Sequence, residues 1–364
     1  PDGRRVVYLA DQASDDVVEL YSAPTDGSAP AVRLHAPILT GRDVTSFQIS
    51  PDGAWVVYRS DVLVNGRFVL ASVPIAGGTP VEVNGPLVVA GDVREIYRIS
   101  PDSTTVVYSA NQEVAEFEIY AAPIQGGGPS RNLGIERNSN STFALKFSGD
   151  GARVVHLNGA RNAIFSVPLD ASAAPVMLSN PAIFGVSDFL PTPDGARVVI
   201  LSLFGALYVS PTDGSAPPAT LATPHAPSGS RVTDVVLSPD GAWAVFRGDL
   251  ATDEVFELFA VPVDGSVPAF RLNPALAPDE DVGGDFQLAD DGSGVAFVAG
   301  GRLYVHGLDP LDTPLELDSG VGAGDLPLAL GSDSARVFYA KQAPAGVRLM
   351  SAALKDRDIA ARVD

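Results

Sequence analysis

The sequence has no cysteine, and among its 364 residues lysine occurs only as Lys146, Lys341 and Lys355. The first absence excludes disulfides, thiol nucleophiles and cysteine-ligated metals. The second leaves arginine to carry the positive charge. With 24 basic residues against 44 acidic ones, the formal net charge is −20. A phosphate backbone is a poor partner for such a chain, because nucleic-acid binding needs a basic stripe. No apolar run approaches the roughly 18 residues of a membrane-spanning helix, so membrane insertion is not expected. The histidines are His35, His156, His225 and His306, with no pair at a short metal-ligand spacing. No Gly-x-Ser-x-Gly elbow occurs, and no Gly-rich phosphate loop sits between a strand and a helix.

Glycine and proline, by contrast, are plentiful (36 and 30 residues) and spread along the whole length. That distribution predicts many short strands and tight turns with few helices. A Pro-Asp-Gly turn followed by a β-rich run recurs throughout. It stands at Pro1-Asp2-Gly3 before Val6-Val7-Tyr8, at Pro51-Asp52-Gly53 before Val56-Val57-Tyr58, and at Pro101-Asp102-Ser103 before Val106-Val107-Tyr108. Gly149-Asp150-Gly151, Pro193-Asp194-Gly195 and Pro239-Asp240-Gly241 follow, with Asp290-Asp291-Gly292 and Ser332-Asp333-Ser334 as the most divergent copies. The spacings are 50, 50, 48, 44, 46, 51 and 42 residues.

Each unit divides into four strands. Strand A precedes the marker with apolar residues at a period of two, as in Phe47 and Ile49 or Tyr97 and Ile99. Strand B is the Val-Val-Tyr run. Strand C takes forms such as Glu19-Leu20-Tyr21 and Glu257-Leu258-Phe259, and ends in a hairpin signal such as Pro24-Thr25-Asp26-Gly27. Strand D is a short outer segment such as Val32-Arg33-Leu34. Four antiparallel strands per repeat is the arithmetic of a propeller blade. The predicted fold is therefore all-β: one eight-bladed β-propeller over 1–364, with blades near 1–41, 42–90, 91–138, 139–184, 185–229, 230–281, 282–323 and 324–364. Seven A strands stand against eight B–C–D sets, so the first blade lacks its innermost strand within this chain. The expected source of that strand is sequence just before residue 1 or just beyond residue 364.

On these residues the units resemble the WD40-like Pro-Asp repeat of TolB-type propellers, also found in the propeller domains of prolyl-oligopeptidase-like proteins. The resemblance spans essentially the whole chain. It implies the fold strongly and a function weakly, because the shared residues build turns and core.

Propeller connectivity places the B–C and D–A loops on one face, where binding loops are expected. Acidic residues gather there: Asp11, Asp15, Asp16, Asp61, Asp249, Asp253 and Glu254 in B–C loops, with Asp43, Asp92 and Asp279-Glu280-Asp281 in D–A loops. Clustered carboxylates are hard ligands, and Asp11, Asp15, Asp16, Asp249 and Asp253 are the calcium candidates; a solvated acidic surface is the alternative. Asp188, Asp234 and Asp285 lie five residues before the marker in three consecutive blades, where alternation turns them toward a central channel. They could bind a cation or a basic side chain, or cap backbone N–H groups. Ile183, Phe184, Leu203 and Phe204 fall on the loop face of blade five, either as an apolar partner patch or as packing over the core.

The leading functional expectation is a non-catalytic binding or scaffolding propeller in the periplasm or outside the cell, with a protein partner and no required cofactor. The alternatives are a lyase or glycosidase using channel carboxylates, and a regulatory propeller of a serine peptidase whose hydrolase domain is absent here. Neither the ligand nor the oligomeric state is legible in these residues.

Overall fold

The marker turn folds the same way in blades two to six. In blade two, Gly53 N–H donates to Ser50 O at 2.8 Å, with Gly53 at φ +72°, which suits glycine. The Ser50 hydroxyl donates to Asp52 Oδ1 at 2.5 Å and accepts the Trp55 N–H at 2.9 Å. Asp52 Oδ1 also accepts Ala54 N–H at 3.0 Å. These bonds, the Ser50 hydroxyl first, hold the Asp52 carboxyl below the usual carboxylate range. The same triangle recurs at Ser100/Asp102, Ser148/Asp150, Thr192/Asp194 and Ser238/Asp240. Each turn reverses strand A into strand B.

The structure, a computed structural model, describes all residues except 1, 14, 39–40, 135–143, 159–162, 180–182, 184, 224–231, 251–253, 278, 322–327, 332–333, 344–345 and 354–364. Among the described residues there is no helix, and the strands form eight antiparallel sheets of three or four strands. This is an all-β, eight-bladed propeller fold. The sheets follow chain order, A to D, one per repeat. The first, Arg5–Ala10, Glu19–Pro24 and Val32–Arg33, has strands B, C and D among the described residues. The last, Leu328–Leu330, Arg336–Ala343 and Gly346–Ala353, has A, B and C among the described residues.

By its contacts the chain divides into two compact units, 1–178 with 212–214, and 179–211 with 215–364. In the first unit, apolar cores lie between successive sheets. Val7, Leu20 and Leu34 of blade one pack on Val56 and Val73 of blade two, and Val57 and Leu70 of blade two pack on Tyr97 and Tyr108 of blade three. The second unit repeats this scheme, for example Val245 and Leu258 against Phe286 and Phe297. A blade thus buries both faces, which is why its strand B reads as a continuous apolar run.

Aromatic residues on strands B and C stack in pairs at centroid distances near 6 Å: Tyr8/Tyr21, Tyr108/Tyr120, Phe246/Phe259 and Phe297/Tyr304. In blade four His156 takes this place and stacks on Phe165 at 5.7 Å. Burial pushes its pKa down to about 3, so it is neutral at physiological pH. Two blades carry serine where the turn favours glycine. Ser103 (φ +63°) and Ser334 (φ +51°) each accept a backbone N–H from the preceding blade's turn, Asp52 at 3.0 Å and Asp290 at 2.9 Å. The inter-blade bond accounts for a residue that the φ alone disfavours.

Candidate functional site

Many carboxylates of the loop face bond to the protein's own backbone. Asp43 Oδ1 accepts Val18 N–H at 2.8 Å, Asp92 Oδ1 accepts Phe68 N–H at 2.8 Å, and Asp281 Oδ1 accepts Phe256 N–H at 2.7 Å. In each case the aspartate directly precedes a strand A, and the donor stands at or just before the start of strand C of the blade before. The valines that follow Asp43 and Asp281 complete the clasp, Val44 N–H donating to Val18 O and Val282 N–H to Phe256 O. Asp61 is buried, and takes Asp43 N–H on Oδ1 and Gly66 N–H on Oδ2, both at 2.8 Å. Asn111 holds the equivalent place in blade three, accepting Asp92 N–H at 3.2 Å. Asp249, at the same repeat position in blade six, is buried as well. Asp11, Asp15, Asp16 and Glu254 are exposed; Asp253 lies outside the described residues. Among the described residues no group of three or more His, Cys, Asp or Glu side chains could hold a metal ion.

Two arginines reinforce the same joints without any signal singled out above. Arg59 lies 3.6 Å over the Phe68 ring and donates from Nε to Val93 O at 2.8 Å, the first residue of the next strand A. Arg247 lies 4.3 Å over Phe256 and donates to Val282 O at 2.7 Å. Both close a Pro-Asp-Gly-Ala-Trp-x-Val-x-Arg run, at 51–59 and 239–247, so aligning the repeats against one another would have found them.

A third repeated polar device is a buried glutamate at the start of strand C. Glu19 accepts the Tyr21 hydroxyl at 2.6 Å and Arg33 at 3.1 Å. Glu118 accepts the Tyr120 hydroxyl at 3.1 Å and Asn132 at 2.8 Å. Glu257 keeps its arginine, Arg271 at 2.8 Å, but the tyrosine position holds Phe259, and Glu257 Oε2 is buried without a partner. Because Phe246/Phe259 stack as Tyr8/Tyr21 do, Phe259→Tyr should place its hydroxyl on that oxygen. The expected gain is about 1 kcal/mol, seen as a raised urea midpoint.

The strand-A aspartates divide. Asp188 and Asp234 line one cavity of about 270 Å³ with Phe189, Leu190, Val199, Leu201, Leu207 and Val235. Both sit at β-bulges, and Asp234 holds φ +51°. Asp234 lies 3.8 Å from Arg247 and accepts the Thr233 hydroxyl at 2.8 Å, while Asp188 accepts Phe189 N–H at 2.7 Å. Asp285 does not line that cavity. Its carboxylate accepts Leu328 N–H of the next blade at 2.8 Å and Gln287 at 3.1 Å, which makes it a joint between blades seven and eight.

The apolar candidates divide too. Ile183 is 4% exposed and belongs to the interior, and Phe184 lies outside the described residues. Leu203 and Phe204 are 61% and 64% exposed at the tip of the B–C turn of blade five. That turn is fastened at every side. Gly205 N–H donates to Ser202 O at 3.0 Å, Leu203 N–H to Gly185 O at 3.3 Å, and Val232 N–H of blade six to Gly205 O at 3.1 Å. The Ser202 hydroxyl accepts Ala206 N–H at 3.0 Å. Two large apolar side chains are thus presented to solvent from a fixed backbone.

No protein-family model matches the sequence, and no curated protein is recognisably similar to it. Similar solved structures are numerous. A dipeptidyl peptidase 4 from Porphyromonas gingivalis superposes with a TM-score of 0.58 at 11% identity, over 98% of this chain and 57% of that one. The chain thus spans little more than half of that peptidase. A eukaryotic initiation factor superposes with a TM-score of 0.55 at 12% identity, over 93% of this chain and 78% of the other. TolB from Acinetobacter baumannii matches with a TM-score of 0.34 at 15% identity, over 88% and 65%. At such identities the likeness to the first two is one of fold, in keeping with the propeller resemblance of the repeat.

Proposed function

We propose that this chain is a non-catalytic binding module that engages a protein partner outside the cytoplasm through its B–C and D–A loops, with Leu203 and Phe204 as the anchor. The carrying observation is the exposure of both side chains on the fastened Ser202–Gly205 turn. A rigid apolar anchor loses little entropy on docking, and interface energy concentrates in such residues. The net charge of −20 favours a basic partner, steering its approach in a salt-dependent way. Leu203→Ser and Phe204→Ser should leave the thermal midpoint unchanged, since neither residue is in a core, and weaken capture of the partner at least tenfold. Equal capture by both variants would remove this surface from consideration.

The cavity between Asp188 and Asp234 favours a second reading, carboxylate chemistry on a small molecule. Asp188→Asn and Asp234→Asn separate the two. Under the binding reading both variants capture partner normally; under the second, both lose turnover.

A further inference from the structure

In two blades strand B opens with a tryptophan that packs over the joint to the next blade. Trp55 lies on the core shared by blades two and three, and Trp243 on that shared by blades six and seven. Trp243 also meets Phe270 of its own strand D edge-on at 5.8 Å. Arginine holds the place in blades one, four, five and eight, as Arg5, Arg153, Arg197 and Arg336. Blade seven has Gly294, and residues 332–333 of the next blade's turn lie outside the described residues. Blade three has Thr105, and Arg131 stands at the strand-D position that Phe270 fills in blade six. At the joint with blade four, the A–B and C–D turns flank a groove of about 520 Å³. Buried Thr105, half-buried Leu169 and Arg153, and exposed Arg131, Asp150 and Asp170 line it. Leu169 packs on the core that these two blades share. Its counterparts Ile124 and Leu308 belong to the cores under Trp55 and Trp243.

The geometry points to a site for the indole of a tryptophan side chain from a protein partner, seated over Thr105 as Trp55 and Trp243 sit over their own joints. Leu169 supplies the apolar floor. The Arg131 guanidinium supplies a cation for the ring face, which favours an aromatic guest over an aliphatic one. Arg153 is a fixed wall, its Nε donating to Ser166 Oγ at 2.7 Å. Asp150 and Asp170 each accept their own turn's N–H on Oδ1, from Ala152 at 3.0 Å and Ser172 at 2.9 Å. A carboxylate has lone pairs for a further donor, and the indole N–H is a donor that phenylalanine lacks. The volume falls within the range of about 300–1,000 Å³ found for ligand sites, so a tryptophan and its flanking backbone fit. Tryptophan is also among the residues that most often anchor protein interfaces. The site lies in the first unit and uses none of the residues of the Leu203–Phe204 anchor.

The test uses the full chain and a blocked tryptophan, N-acetyltryptophanamide, with the phenylalanine and leucine analogues beside it. Saturable NMR shifts are expected at the Thr105, Ala152 and Leu169 amides, with a Kd of about 1 mM for so small a probe. The phenylalanine analogue should bind about threefold more weakly, and the leucine analogue about tenfold. Thr105→Trp, which puts the chain's own indole over the joint, should lose the probe without a lower thermal midpoint. Arg131→Ala, at an exposed position outside the cores, should weaken binding about threefold. The Leu203→Ser/Phe204→Ser double variant should bind the probe as wild type does, so the two sites stand or fail separately. No shift at those amides with millimolar probe would overturn the inference, as would equal binding of the three analogues. So would unchanged binding in Arg131→Ala or in folded Thr105→Trp. Indole-3-acetate binding tighter than the blocked tryptophan by about tenfold or more would mark a small-molecule site and overturn the partner assignment.

Discussion

Replacing His156 by phenylalanine flattens the protein's stability profile between pH 6.5 and pH 4.5. The ring is buried in the strand B–strand C stack of blade four, and burial depresses its pKa to about 3 from an unfolded value near 6.5. A group whose folded pKa is depressed contributes its full stability above the unfolded value, and that contribution falls away as pH drops toward the folded value. Between those limits unfolding takes up one proton at His156, about 1.4 kcal/mol per pH unit, or roughly 2 to 3 kcal/mol across this window. Asp52, Asp102, Asp194 and Asp240, held low by their turn hydroxyls, act in the same direction but only below about pH 4. His35, also lowered by burial, contributes within the window. His156→Phe should therefore remove one proton's dependence, and adding His35→Asn should reduce the dependence further. Asparagine is the residue at the equivalent positions 84 and 273. Phenylalanine fits the stack because Phe246 and Phe297 already occupy it elsewhere. Urea midpoints at pH 4.5 and 7.5 measure the effect, and equal acid losses in wild type and His156→Phe would refute it.

Asp61→Ala should cost about 3 kcal/mol or more. One buried carboxylate holds both Asp43 N–H and Gly66 N–H, and Asp43 in turn holds Val18 N–H of blade one. Alanine leaves two donors unpaired, at about 1 to 3 kcal/mol each, and frees the loop that positions the third. Asp61→Asn supplies the control: its Oδ1 can still accept Asp43 N–H, as Asn111 accepts Asp92 N–H in blade three, while its Nδ2 cannot accept Gly66 N–H. It should cost less than alanine. If alanine and asparagine are equally tolerated in urea unfolding, the aspartate is not the joint described.

The architecture was legible because it is written in turn chemistry. Pro-Asp-Gly fixes each A–B reversal by φ and by a side-chain oxygen, and those constraints are local in sequence. Strand order followed from counting, and the first sheet has three strands among the described residues, as the count implies. The polar loop face was far less legible. Asp43, Asp61, Asp92 and Asp281 read as surface charge until their donors are known, and those donors sit 5 to 25 residues away. The strand-A aspartates share a repeat position, yet bulges of different length turn two of them to a cavity and leave the third on the next blade. Ile183 and Leu203 are equally apolar; only the turn that lifts Leu203 and Phe204 off the sheet separates interior from surface.

The binding role is tested most directly by native mass spectrometry of the chain isolated intact from its source, beside the Leu203→Ser/Phe204→Ser double variant prepared in the same way. The expected result is a wild-type complex heavier than the chain itself, with a companion protein that is absent from the variant's spectrum. A wild-type spectrum free of any companion protein, or a companion retained by both, would contradict it.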